Sequence, residues 1–425
     1  MYLMKKSFAL YPLLLLALLP GLLFSSCSSD SAVDVEELLQ SVPADAAMVM
    51  VVNTESLAKK EGVMIDGKQM KFTEILAQAD AADAKQFAPL LVVAPDSPMV
   101  IFNSTYKYYI TGYVNKTGEF KKAVQEAVGA QFSTQDGVDV AGNYAIISNR
   151  FWCVLNSSTI DAKDVKYLKE LPADRSFANN SAAKEMTEIS DDVKGWAGIA
   201  GLTRQMSGDF AERSMAQAGL ATVFDDAQSI IYSVNVEKDK VVADAGIYNS
   251  KGNPSKINIS VEEVDVDVIN KLTGTADGVV AMGIPNKMVK QIIEAANQQG
   301  PSMAGAMLSG FTCLDGTVAA ALGSKNPENN FKGVVETDGS STSSISELIA
   351  MTEAKTSVEG KLLFAEKGQV TGTSNVSDLA KPLKGAVIGC SFTDKPFGDD
   401  VKFKSLVVKL VKKDGSLSLR MECVF

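Results

Sequence analysis

Residues 416–425 constrain the fold more than any other stretch. Leu417, Leu419, Met421, Cys423 and Phe425 occupy every second position, with Ser416, Ser418, Arg420 and Glu422 between them. A period of two sorts side chains onto a dry and a wet face only if the backbone is an extended strand. Asp414-Gly415, just ahead, tolerates the positive φ angles of a tight hairpin turn, and residues 401–411 stand on its other side as the partner strand. In that partner the apolar phase moves from Val401 and Phe403 to Leu406, Val408 and Leu410, which predicts a β-bulge near Lys404-Ser405.

Further strands are legible upstream. Residues 48–52 form a continuous apolar run suited to a buried strand, and Ile230, Tyr232, Val234 and Val236 alternate with polar neighbours. Residues 144–148 and 151–155 flank Asn149-Arg150, where a second tight turn is expected. Helical spacing is equally plain in Val35, Leu38 and Leu39, in Phe120, Ala123, Val124, Ala127 and Val128, and in Met288, Val289, Ile292, Ile293 and Ala296 after Pro285. Ser344 with Glu347 matches a capping box ahead of Ile345 and Leu348. Helices and strands mix without a strict β-α-β rhythm, so the expected class is α+β, with largely antiparallel sheets packed with helices.

Two stretches share one order of elements. Ala44-Asp45 leads into a strand and a helix, and Ala276-Asp277 does the same through residues 279–284 and the helix near Met288. Each continues through strands, a helix (after Gly118; after Ser344) and a hairpin (144–155; 361–372). This order predicts two duplicated units: an N-terminal α+β domain over residues 43–192 and a C-terminal α+β domain over 193–425. A chain of 425 residues has room for both.

Composition excludes several classes of function. The chain has no histidine, which removes Ser-His-Asp and Cys-His catalysis and histidine-ligated metals. Its net charge of −10 repels phosphate backbones, so nucleic acid is not an expected partner. With 46% hydrophobic and 22% charged residues it can bury an ordinary globular core.

Residues 1–26 have the layout of a signal peptide: Lys5 and Lys6, an apolar run over 8–24, then the small residues Ser25 and Ser26 before Cys27. Pro12 and Pro20 suit a processed segment better than a membrane-spanning helix. Phe24-Ser25-Ser26-Cys27 resembles a bacterial lipobox, with Phe24 where leucine is commoner. That resemblance implies cleavage before Cys27 and lipidation of its thiol. Acyl chains contribute ~0.8 kcal/mol per buried CH₂, and two or three together anchor a protein stably. Residues 27–42 would then be a lipid-anchored tether and a short helix. Asp30-Ser31-Ala32 resembles the short acceptor for O-glycosylation in Bacteroidetes, which implies a glycan on Ser31. Val42-Pro43-Ala44-Asp45-Ala46 leads into an apolar strand. Asn53-Thr54-Glu55-Ser56-Leu57 and the pair Lys59-Lys60 follow it. Together these segments resemble the opening of an uncharacterised Bacteroidetes lipoprotein family. The likeness covers that opening and the lipobox, and it implies no activity and no functional residue.

Other constellations read as structural. Cys153, Cys313, Cys390 and Cys423 are far apart, form no CxxC pair and lie in strand-like contexts, so buried thiols are expected; three full pairings stay open. Asp265 and Asp267 would share one face of a solvated edge strand, and Asp191-Asp192, Asp225-Asp226 and Asp399-Asp400 would be solvated turns. Tyr106, Tyr108 and Tyr109 suit a strand with tyrosines on both faces rather than a sugar platform. Met282, Met288, Met303 and Met307 could fill a core or line an apolar groove. Gly195, Gly198 and Gly201 interrupt an apolar strand and lack phosphate-loop spacing.

No catalytic, cofactor-binding or metal residue emerges. The expected function is that of a non-catalytic envelope lipoprotein with a binding or structural role. Its membrane contact would be the lipid on Cys27, its partner an envelope protein or glycan, and its place the outer membrane, on either face. Two other readings stay open: a carrier of hydrophobic cargo, and a histidine-free hydrolase working with two carboxylates.

Overall fold

The computed structural model describes residues 35–60, 63–65, 68–70, 89–90, 97–104, 107–155, 159–188, 190–205, 221–297, 305, 308–323, 328–393 and 403–425. The chain forms two compact units. Among the described residues, one comprises those from 35 to 205 together with 228–239, and the other those of 221–227 and from 240 to 425. Both are α+β, each with a large antiparallel sheet and helices packed on it.

In the first unit the strands are β1 (Met48–Val52), β2 (Met99–Ser104), β3 (Lys107–Tyr113), β4 (Ser133–Gln135), β5 (Val138–Ala141), β6 (Tyr144–Ile147), β7 (Arg150–Val154), β8 (Val193–Gly198) and β9 (Ser229–Val236). They pair antiparallel in the order β4-β5-β6-β7-β3-β2-β1-β8-β9. The apolar run of β1 sits between two neighbours and is almost wholly buried, as a run without alternation requires. The helices are α1 (Val35–Gln40), α2 (Thr54–Ala58), α3 (Thr117–Val128), α4 (Ala162–Lys169), α5 (Ala183–Thr187) and α6 (Ile199–Gln205). Phe120 and Val124 are the buried stripe of α3, and Phe120 packs against Tyr144 and Phe151 with ring centroids 6.0 and 5.5 Å away. Gly129 ends this helix at φ 68°, where a side chain would be strained.

In the second unit the strands are β10 (Lys240–Tyr248), β11 (Gly278–Ile284), β12 (Leu314–Leu322), β13 (Phe331–Thr337), β14 (Lys355–Glu359), β15 (Leu362–Lys367), β16 (Ala386–Thr393), β17 (Ser405–Lys413) and β18 (Ser416–Val424). Their antiparallel order is β14-β15-β13-β12-β11-β16-β17-β18-β10. One face carries α7 (Val266–Ile269) and α10 (Val376–Ala380), whose Val268, Ile269, Val376 and Leu379 meet Val279, Ala281, Ala319 and Val334 of the sheet. On the other face, Val289 of α8 (Asn286–Ala296) and Ile345 of α9 (Ser343–Ala350) pack with Leu314, Val335 and Leu363.

Seven strands follow the same order in both sheets: β6-β7-β3-β2-β1-β8-β9 in one and β14-β15-β13-β12-β11-β16-β17 in the other. The first unit adds the β4–β5 hairpin outside β6, and the second adds β18 and β10 outside β17. Correspondence extends to single bonds. Phe177 N–H donates to Val42 O (2.7 Å) just before β1, and Val376 N–H donates to Gly274 O (3.1 Å) just before β11.

Several local expectations need correcting. The turn Asp414-Gly415 is present, with φ 51° and 81°, but β17 and β18 pair without interruption from Ser405 to Lys413. The irregularity lies instead in β16, between Ala386 and Ile388. In the first unit the turn is Ser148-Asn149, at φ 49° and 60°, and Arg150 is the first residue of β7. Ser344 does not cap α9; the helix starts at Ser343, with Thr342 at the N-cap and no side-chain cap bond. The second unit's hairpin is β14–β15, earlier than residues 361–372. Because β8 pairs with β1, the strand from Val193 belongs to the first unit, so the division does not fall after residue 192. No described helix is long and apolar enough to cross a membrane.

Candidate functional site

The residues most expected to carry function, Cys27 and Ser31, lie outside the described residues, as do Tyr106, Met303, Met307 and Asp399-Asp400. Among the described residues four places concentrate chemistry.

The first is a buried guanidinium. The Arg150 side chain is 1% exposed, and it donates to Ser41 Oγ (2.6 Å), Glu37 Oε1 (2.5 Å) and the Tyr113 hydroxyl (2.8 Å). Lys169 Nζ lies 3.0 Å from the same Glu37 oxygen. Burial alone would raise the Glu37 pKa, but the bonds from Tyr113 and Lys169 and the Arg150 charge outweigh it and hold the carboxyl below its usual range. Burial, helped by the bond to Glu37, pushes Tyr113 up to about 12. Through its two terminal nitrogens this cation joins α1 to β3 and β7, while its buried Nε has no hydrogen-bond partner.

The second is Asp192, which is fully buried rather than in a solvated turn. Its carboxylate accepts from Ser56 Oγ (2.7 Å), Lys60 Nζ (2.5 Å) and Val236 N–H (2.5 Å). Asn53 N–H donates to Asp192 O (2.8 Å), while the Asn53 side chain caps α2 by accepting from Ser56 N–H. Thus Asn53, Ser56 and Lys60, all in the family-like opening segment, serve to tie the end of β1 to β8 and β9.

The third is a cleft of about 330 Å³ in the second unit, between α10 and strands β16, β17 and β18. Antiparallel register sets Lys409 directly opposite Arg420, and Arg420 opposite Asp244, with which it forms a 3.6 Å ion pair. Lys409 Nζ also donates to Pro382 O (3.3 Å). Asp378 and Glu422 add negative charge to the lining, beside the hydroxyls of Ser374, Ser391, Thr393 and Ser405. Bonds from Lys381 and Asn375 lower the Asp378 pKa. The cleft can therefore offer hydrogen bonds of both senses to a polar ligand.

The fourth is the opposite side of the same strands. Val280, Cys390, Val408, Met421 and Ala243 form one cross-strand row there, and Met282, Ile388, Leu410, Leu419 and Ala245 the next. Every one is apolar, yet most are only half-buried, and Ile388 and Leu419 are 38% and 40% exposed. Such a continuous apolar surface is unusual on a finished domain.

The remaining candidates have structural roles. Asp265 caps α7, accepting from Asp267 N–H at 2.8 Å, so this acidic pair lies on a helix start and not on an edge strand. Glu262 has its pKa raised by burial and then by Asp315, Glu336 and Asp265, an acidic gathering that no sequence spacing announced. No group of three His, Cys, Asp or Glu is placed to hold a metal among the described residues. All four described cysteines are free; Cys153 and Cys313 are buried, while Cys390 and Cys423 are half-buried. Tyr108 and Tyr109 project from opposite faces of β3, and Tyr109 stacks on Phe102 at 5.4 Å. Gly195 and Gly198 lie within β8, and Gly201 lies in α6.

No family model matches the chain, and no curated protein does. Among solved structures it is similar to TP0453 in its crystal form I, with a TM-score of 0.29 and 9% identity, over 83% of this chain and 97% of that one. A likeness this distant assigns nothing to the present chain.

Proposed function

We propose that this chain is a lipid-anchored, non-catalytic envelope protein of the uncharacterised Bacteroidetes lipoprotein kind, with a binding body built by duplication. The observation that carries the anchor is Phe24-Ser25-Ser26-Cys27 behind a basic start and an apolar run. Duplication is supported by the seven-strand order common to both units and by the paired strand entries at Val42 and Gly274. The polar cleft beside Lys409 and Arg420 supports a glycan or an envelope protein as the partner, and Ser31 is the proposed glycosylated residue. The outer membrane is the proposed place.

The exposed apolar rows through Ile388 and Leu419 favour a second reading, transport of a hydrophobic cargo. A hydrolase of two carboxylates has less support. One acid would have to be held protonated near neutral pH; in the cleft the Lys381 and Asn375 bonds hold Asp378 the other way, and Glu262, whose pKa is raised, is not part of that lining.

Mass spectrometry of the purified protein is expected to find acyl chains on an N-terminal Cys27. A mature N-terminus at another residue, or a Cys27 without fatty acid, would refute the anchor.

A further inference from the structure

Among the described residues, the outer edge of β14 has no strand partner. The row of side chains that runs through Met50, Ile101, Ile110, Cys153 and Tyr144 in the first unit continues to Ala141 of β5. The corresponding row in the second unit runs through Met282, Val318, Val335 and Leu363 and ends at Val358 of β14. Tyr144 is completely buried under α3, whereas Val358 is 56% exposed. No described strand pairs with the outer side of β14, and all five of its residues are exposed. Beside it, Leu348 of α9 and Met351, just past that helix, are 49% and 81% exposed. An open edge next to exposed apolar side chains is a template for another strand.

Charge selects the occupant. If two copies of Lys355-Thr356-Ser357-Val358-Glu359 pair antiparallel about a two-fold axis at Ser357, Lys355 of each copy faces Glu359 of the other. Thr356 then faces Val358, a pairing of two β-branched side chains. Opposite charges across strands stabilise and like charges destabilise; shifting the register by two residues loses both charge pairs. Among the described residues no ion pair within 4 Å holds Lys355. Its neighbour across β15 is Glu366, which Lys332 approaches at 3.8 Å. From these observations we infer that β14 is a self-association edge, through which two copies of the chain join their second-unit sheets. A contact along about 17 Å of one strand is too short to bury the ~800 Å² per partner of a stable dimer, so the association is weak and concentration-dependent.

Sedimentation equilibrium tests this on the mature chain from residue 28 to 425, which carries neither the apolar leader nor Cys27, so that detergent micelles do not mimic a dimer. The average mass should rise towards twice the monomer between micromolar and millimolar concentration. Adding Lys355→Glu, which creates two like-charge pairs, should weaken association by at least about tenfold. Combining it with Glu359→Lys restores opposite charges and should restore association. So should mixing a Lys355→Glu chain with a Glu359→Lys chain. A monomer at every concentration overturns the inference, and so does a dimer indifferent to Lys355→Glu.

Discussion

Arg150 illustrates how a single residue changes role between sequence and structure. Its place after Ser148-Asn149 marks it as part of a turn, but the positive φ angles fall on those two residues, and the guanidinium points into the unit. Burying a cation is costly unless acceptors surround it. Glu37, Ser41 and Tyr113 supply them to the two terminal nitrogens, and Nε goes without. This network has a pH signature. Tyr113 titrates at about 12 in the fold against an ordinary 10.0, so the folded state holds its proton longer than the unfolded one. Its contribution is complete below pH 10, and it is lost as pH rises towards 12. Glu37 acts at the other end: its folded pKa is lowered, so its contribution is present above the usual carboxylate range and lost on acidification. A urea-midpoint series is expected to fall less steeply between pH 10 and 12 for Tyr113→Phe than for the wild type. Tyr109, also raised to about 12 by burial, keeps part of the slope in both. An unchanged slope would sever Tyr113 from the network.

At the scale of elements, strands hold their register through cross-strand side chains as well as through the backbone ladder. Gly195 in β8 sits opposite Tyr232 in β9, and the tyrosine ring lies over the glycine, where a Cβ would collide with it. The ring covers a backbone that has no side chain of its own, and glycine is required there by close approach rather than by its φ. Gly195→Ala is expected to destabilise by about 1–3 kcal/mol, as overpacking does. Adding Tyr232→Ala should relieve the clash, so the double variant should lose less than the sum of the two single changes, in thermal unfolding. Additive losses would mean that the ring can swing aside freely. Asp192 acts at the same scale: one buried carboxylate fastens α2, β8 and β9, three elements far apart in sequence.

At the scale of the whole chain, the units do not follow one another as simple halves, because residues 228–239 belong to the first unit although 221–227, just ahead of them, belong to the second. β9 covers the edge of β8 and brings the Val236 N–H to Asp192. A fragment of residues 27–239 is therefore expected to unfold cooperatively. One of residues 27–207 should melt at lower temperature or aggregate, because it exposes β8 and deprives the Asp192 carboxylate of the Val236 N–H donor. Circular-dichroism melts of the two fragments decide it, and equal stability would show that β9 is dispensable.

Local chemistry alone determined the α+β class, most strand and helix positions and the Asp414-Gly415 turn, because side-chain period and φ preference are properties of neighbouring residues. The same locality misled where one pattern serves two purposes. Asp265 and Asp267 fit an edge strand as well as a helix start, and the apolar phase shift before β17 fits a bulge as well as a strand that begins at Ser405. Tertiary structure decided the order of strands, the burial of Arg150 and Asp192, the charged row of Lys409 and Arg420, and the bare edge of β14. Each depends on which distant segment lies alongside, and that follows from the packing of the whole unit, which no window of adjacent residues contains.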